Sequence, residues 1–130
     1  MSTAPAPVEK QPFDPTNFPA DLRAARFRAN ALYAEQSALS ARLPWSREPL
    51  PGWGPEKNKN TDAIIAPARE ASPGWDPDDA ATYDRLGEEL REVTATIQTH
   101  PWWATCRANG VAGPAIVQAR QALRSLEETI

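Results

Sequence analysis

His100 and Cys106 stand six residues apart with Trp102 and Trp103 between them, and they are the first pair to weigh for chemistry. A zinc site needs about four ligands at tight spacing, and the chain offers one histidine and one cysteine. A thiol nucleophile would need the imidazole beside it as base. The simpler reading is that His100 closes a helix and Cys106 is a small buried hydrophobe. Asp76, Asp78, Asp79 and Asp84 form the second cluster. Carboxylates at a helix start are what the helix dipole favours, which accounts for the first three without a metal. Glycine-rich phosphate loops, Gly-x-Ser-x-Gly elbows and His-Glu-x-x-His strings are absent from the sequence. The expectation is a non-enzymatic protein with no catalytic residue, no cofactor and no metal.

Arginines supply the next candidate chemistry. Arg23 and Arg26 share one face of a helix, Arg28 points elsewhere, and Arg42 and Arg47 follow. A phosphate-binding face would use Arg23 and Arg26. Against it stands a net charge of −3, since nucleic-acid binding draws on a surplus of Lys and Arg. The imbalance is local: residues 1–60 carry eight Lys/Arg against six Asp/Glu, residues 61–130 six against eleven.

Five tryptophans are the strongest lead. Tryptophan is enriched in binding hot spots, and it is also an effective way to bury area in a small core. Trp45, Trp75 and Trp102 read as core closure. Trp102 and Trp103 are neighbours about 100° apart on a helix, so they cannot both face inward. Trp103 and Trp53 are therefore the expected partner-binding tryptophans, joined by Ile116 and Leu123 on the last helix.

These side chains need elements to carry them. Prolines 5, 7, 12, 15 and 19 mark residues 1–18 as a disordered or extended tail, with Phe13 and Phe18 free to tuck against a core. Leu22, Ala25, Ala29, Leu32, Gln36, Leu39 and Leu43 step by three and four, which predicts a helix over 19–43, capped by Asn17 and ended by Pro44. Asp76 followed by Pro77 opens a second helix over 78–99, with the seam Tyr83, Leu86, Leu90, Val93 and Ile97. Gly87 lies inside that seam and costs about 1 kcal/mol relative to alanine, which points to a close helix approach or a packed ring. A short helical segment follows Pro101, and a last helix from Gly113-Pro114 carries Ile116, Ala119, Leu123, Leu126 and Ile130 on one face.

Between the rods lies Pro44 to Trp75, with three of the tryptophans and six prolines. It reads as a long Trp/Pro-rich loop over 44–76, with Gly54 to Ala71 its most mobile stretch. Two Pro-Gly-Trp tripeptides, Pro51-Gly52-Trp53 and Pro73-Gly74-Trp75, predict type II turns that aim the following ring.

The string Leu43-Pro44-Trp45-Ser46-Arg47-Glu48-Pro49-Leu50-Pro51-Gly52-Trp53, with Ser72-Pro73-Gly74-Trp75 and Thr99-His100-Pro101-Trp102-Trp103, resembles a group of small uncharacterised actinomycete proteins. Their genes often lie beside integrative elements or on plasmids. The likeness spans about residues 20–128 and implies no catalytic role for any residue.

The architecture expected is all-α: one domain over 19–130, an antiparallel helical hairpin closed by a C-terminal helix into a three-helix bundle. The lone cysteine and the lack of a signal peptide or apolar span place it in the cytoplasm, away from membranes. The function expected is a protein-interaction or accessory module, binding a partner or itself as a homodimer. The alternatives are a DNA-associated accessory factor of a mobile element using Arg23 and Arg26, and a small enzyme of unassigned type.

Overall fold

In the computed structural model, which describes residues 12–126, the chain is mostly helical with one small sheet. The helices are α1 (Ala20–Arg42), α2 (Pro77–Gln98), α3 (Pro101–Ala108) and α4 (Pro114–Arg124). A two-stranded antiparallel sheet, β1 (Glu56–Lys57) with β2 (Ile64–Ala66), sits in the segment read as loop, so the fold is not all-α. The chain forms two compact units, one from residues up to Arg28 and from Thr94 onward, the other Ala29–Val93, and α1 and α2 supply residues to both.

The first unit has an aromatic core. Phe18, Leu22, Trp103, Cys106, Ala119 and Leu123 are buried together, with Phe13, Ile97, Trp102, Val111 and Ile116 packed against them. Of the disordered or extended tail expected over 1–18, residues 12–18 pack here through Phe13 and Phe18, while residues 1–11 lie outside the described residues. Asp14 closes a turn by accepting from the Thr16 amide and hydroxyl, and the turn delivers Phe18 inward. The α4 stripe is buried as its spacing requires at Ala119 and Leu123, with Ile116 and Leu126 half-buried; Ile130 lies outside the described residues. Pro101 and Pro114 each occupy the first turn of their helix, where a missing N–H costs nothing.

In the second unit, the end of α1 lies beside the start of α2. Arg42 approaches Asp79 at 4.0 Å, and Gln36 lies against Gly87. Leu32, Leu39, Leu86 and Leu90 are buried along the two stripes. Asp76 caps α2 by accepting from the Asp78 amide at 2.9 Å. Gly87 is not forced by a close backbone approach, because a Cβ there would meet the Gln36 side-chain amide at 3.4 Å and the Arg91 guanidinium at 3.5 Å, both ordinary contacts with the ends of flexible side chains. Gly87→Ala should therefore stabilise the protein by about 0.5–1 kcal/mol through helix propensity. A higher urea midpoint at unchanged slope would show it; a lower midpoint would mean that the seam is tighter than its geometry.

Candidate functional site

The segment between α1 and α2 is an arm rather than a loop. Leu50 and Ser72 exchange both backbone hydrogen bonds, at 3.0 and 2.9 Å, and so do Trp53 and Arg69, at 2.8 and 2.9 Å. Glu56 then pairs with Ala66 and Lys57 with Ile64. A regular antiparallel ladder repeats its doubly bonded pairs every two residues. Here Leu50–Ser72 and Trp53–Arg69 are three apart on each strand, and Pro51, Pro55 and Pro67, which have no N–H to give, fall in the gaps. The tip is tied as well. The Asn58 side chain accepts from the Asn60 amide at 2.8 Å, its backbone bonds Asp62 and Ala63, and Asp62 takes a left-handed conformation with φ 55°. The stretch expected to be most mobile is hydrogen-bonded along its length.

The two Pro-Gly-Trp tripeptides use glycine for different reasons. Gly74 has φ +80°, in the left-handed region that favours glycine, and a Cβ there would strike Pro49 at 2.9 Å, but no turn closes on it, because the Trp75 amide donates to the Arg47 carbonyl and not to Ser72. Gly52 keeps an ordinary φ, so no type II turn forms at it. Instead a Cβ would meet the Arg69 carbonyl oxygen at 2.1 Å and the Ala71 nitrogen at 2.6 Å. The two strands of the arm cross too closely for any side chain.

Aromatic rings and arginines fix the base of the arm. Trp75 donates its indole N–H to the Pro44 carbonyl at 2.9 Å, stacks edge-on to Tyr83 at 5.1 Å, and carries the Arg47 guanidinium over its face at 5.4 Å. Arg47 in turn grips Asp84 with two bonds of 2.9 and 2.6 Å, holding that carboxyl below its usual range. Ser72, buried, donates to the Ser46 carbonyl and accepts from the Gly74 amide. Higher up, Trp45 donates to the Glu70 carbonyl at 2.9 Å and lies between the Arg69 guanidinium, 4.4 Å from its ring centre, and the edge of Trp53 at 5.5 Å.

What this framework leaves outside is apolar. Trp53 is 54% exposed, Leu50 43%, and Ile64 and Ile65 64% each. Ile65 is the extra residue of a bulge, opposite none on β1, which breaks the strict alternation that would otherwise set it back-to-back with Ile64.

The other expected site residues are placed differently. Trp103 and Leu123, expected to face a partner, are each 2% exposed in the first unit's core, and Ile116 packs half-buried against the same cluster. Trp102, expected to close the core, does pack against it, so neither ring of the pair is left for a partner. Trp103 goes inward, and Trp102 is covered by the N-terminal segment, 5.2 Å from Phe13 with its N–H on the Pro15 carbonyl. Arg23 is exposed on α1, whereas Arg26 is half-buried and engaged within the fold.

His100 and Cys106 do not act as a pair. His100 caps α3: its Nδ1 accepts the Trp102 amide at 3.0 Å while Nε2 bonds Asp21 at 3.0 Å. The accepting Nδ1 requires the tautomer with its proton on Nε2, which donates to the carboxylate. That hydrogen bond holds Asp21 below the usual carboxylate range. A depressed acid stabilises the fold above its unfolded pKa, and the contribution is lost as pH falls through its folded value. Cys106 is fully buried, and burial pushes its thiol up, away from the reactive thiolate. His100→Ala should cost about 1 kcal/mol by removing the cap, while His100→Asn, itself a good cap, should recover most of it. Thermal melts of the two variants separate these roles; equal losses would make the Asp21 bond the dominant contribution. Among the described residues no three His, Cys, Asp or Glu side chains gather as a metal site would require, and no helix is long and apolar enough to cross a membrane.

Residues 21–126 match the model of a domain family of unknown function, DUF8825. No curated protein and no solved structure matches the chain.

Proposed function

The chain belongs to the DUF8825 family, and we propose that it is a non-enzymatic protein-interaction module whose working surface is the arm over Leu50–Ser72. In this reading the helices form a bundle-type scaffold and the arm presents Trp53 with Leu50, Ile64 and Ile65. One observation carries it. Hydrogen bonds, two close-packed glycines and two cation–π contacts hold the arm in place, yet its largest apolar side chains are left in water. Single exposed apolar residues are ordinary; in this reading the arm's four, with Ile64 and Ile65 adjacent among them, supply the apolar part of the contact. An exposed tryptophan on a fixed backbone has the features of a hot spot, because little conformational freedom remains to be lost on binding.

The test is affinity capture from the native cell extract with the wild-type chain and with Trp53→Ala. The two should share a circular dichroism spectrum, since the ring is half in solvent and sits on the ribbon rather than in either helical core. Loss of the captured proteins with Trp53→Ala supports the module. An identical captured set with both chains would remove the arm from consideration.

A further inference from the structure

The arm's apolar surface needs an occupant, and its area and charge identify one. At about 150–250 Å² for each large side chain, the exposed fractions of Leu50, Trp53, Ile64 and Ile65 amount to roughly 400 Å². One side of a standard protein–protein interface buries about 800 Å², a little over half of it apolar, or about 450 Å². Summed over the arm, the exposed apolar area is thus of the same order as the apolar share of one interface side.

Charge then discriminates among partners. Between Leu50 and Ser72 the arm carries Glu56, Asp62 and Glu70 against Lys57, Lys59 and Arg69, a balance of zero in a chain of net charge −3. A surface shaped for a strongly acidic or basic partner would carry the opposite sign, because such complementarity steers encounter. A neutral patch with acids and bases interspersed is complementary to itself. It is also where two copies of an acidic chain meet with least repulsion. Two further features suit a symmetric contact. A two-fold interface uses the same patch on both subunits, so it closes at two copies instead of growing into a fibre. The stretch Ala63-Ile64-Ile65-Ala66 reads alike in both directions, so an antiparallel two-fold would set branched chain against branched chain and alanine against alanine.

We infer that the arm docks against the same arm of a second copy of this chain, with Ile64, Ile65 and Trp53 at the centre of a two-fold interface. The inference rests on the arm being the interaction surface and adds the identity of what covers it.

Sedimentation velocity over a concentration series of the full chain tests it, with the double variant Ile64→Asp/Ile65→Asp and with Val117→Asp as control. Val117 is 52% exposed on α4, in the other unit, and has no part in the arm. The wild type and the control should move from the 14.2 kDa monomer toward twice that mass as concentration rises. The double variant should raise the dimer Kd by at least about 30-fold, as loss of a hot spot does. Ile65→Cys under mild oxidation should form a disulfide-linked dimer and Val117→Cys should not; Cys106 is fully buried and takes no part. A wild-type chain that stays monomeric throughout, or a dimer indifferent to the double variant, overturns the inference. If the monomeric chain still captures another protein, and Trp53→Ala abolishes that capture, only self-docking falls. If arm variants alter neither mass nor capture, the interaction reading falls with it.

Discussion

Trp103→Ala should cost about 3–5 kcal/mol and leave the unit formed by residues up to 28 and from 94 onward without a stable core. The indole is the largest fully buried side chain described. Its N–H donates to the Ile97 carbonyl at 2.6 Å, Phe18 meets its face edge-on at 6.4 Å, and the Arg120 guanidinium lies 4.9 Å from the ring centre. Truncation removes the ring's buried area, opens a cavity among Leu22, Cys106 and Leu123, and strips a hydrogen-bond donor from the Ile97 carbonyl. Small domains hold only a modest margin of stability, so a loss of this size is a large fraction of the total. Urea unfolding followed by circular dichroism measures it. Trp103→Phe keeps most of the area and should cost far less. A Trp103→Ala penalty below about 1 kcal/mol would mean that the ring is exposed in solution.

Gly52→Ala should destabilise the arm by about 1–3 kcal/mol, although it adds a single methyl group. The reason is what that methyl meets. The Arg69 carbonyl, the Glu70 carbonyl carbon and the Ala71 nitrogen lie within 2.1 to 2.6 Å of the new Cβ, and all are backbone atoms that no rotamer change moves aside. The strands must part, and the Trp53–Arg69 and Leu50–Ser72 bonds on either side are the first to open. The expected signature is a red-shifted, more quenchable fluorescence from Trp45 and Trp53 as the edge-on pair separates, with helical circular dichroism nearly unchanged. Unaltered fluorescence and thermal midpoint would show that the crossing is looser than its geometry. Gly87→Ala makes the opposite comparison, since the same substitution there fills ordinary space on a helix.

Those two glycines show where the sequence spoke and where it was silent. Helix positions were legible because they depend on local signals: Asp76 before Pro77, Pro44 and Pro101 as stops, and stripes at three- and four-residue steps that prove to be the buried faces. The arm was hidden by its prolines. Pro51, Pro55 and Pro67 argue against strands, yet they fall in the gaps of a ladder that pairs only where N–H groups exist. The turn formers from Asn58 to Asp62, set between Glu56-Lys57 and Ile64-Ile65, were the readable hint of a hairpin. The reason for Gly52 was not readable at all, because a close backbone crossing joins residues 17 or more apart in the chain. For the tryptophan pair, helix geometry fixes that Trp102 and Trp103 diverge. It does not say which one meets Phe13, because that depends on how the N-terminal segment returns.

Amide hydrogen exchange at Leu50, Trp53, Arg69 and Ser72 measures most directly whether the arm is a fixed presenter of Trp53. These four N–H groups are the donors of the two doubly bonded pairs and should exchange together, orders of magnitude more slowly than free amides. Exchange of all four at the rate of an unstructured chain, while the amides of α1 and α2 stay protected, would show that the segment is a loop and that its apolar residues present no surface.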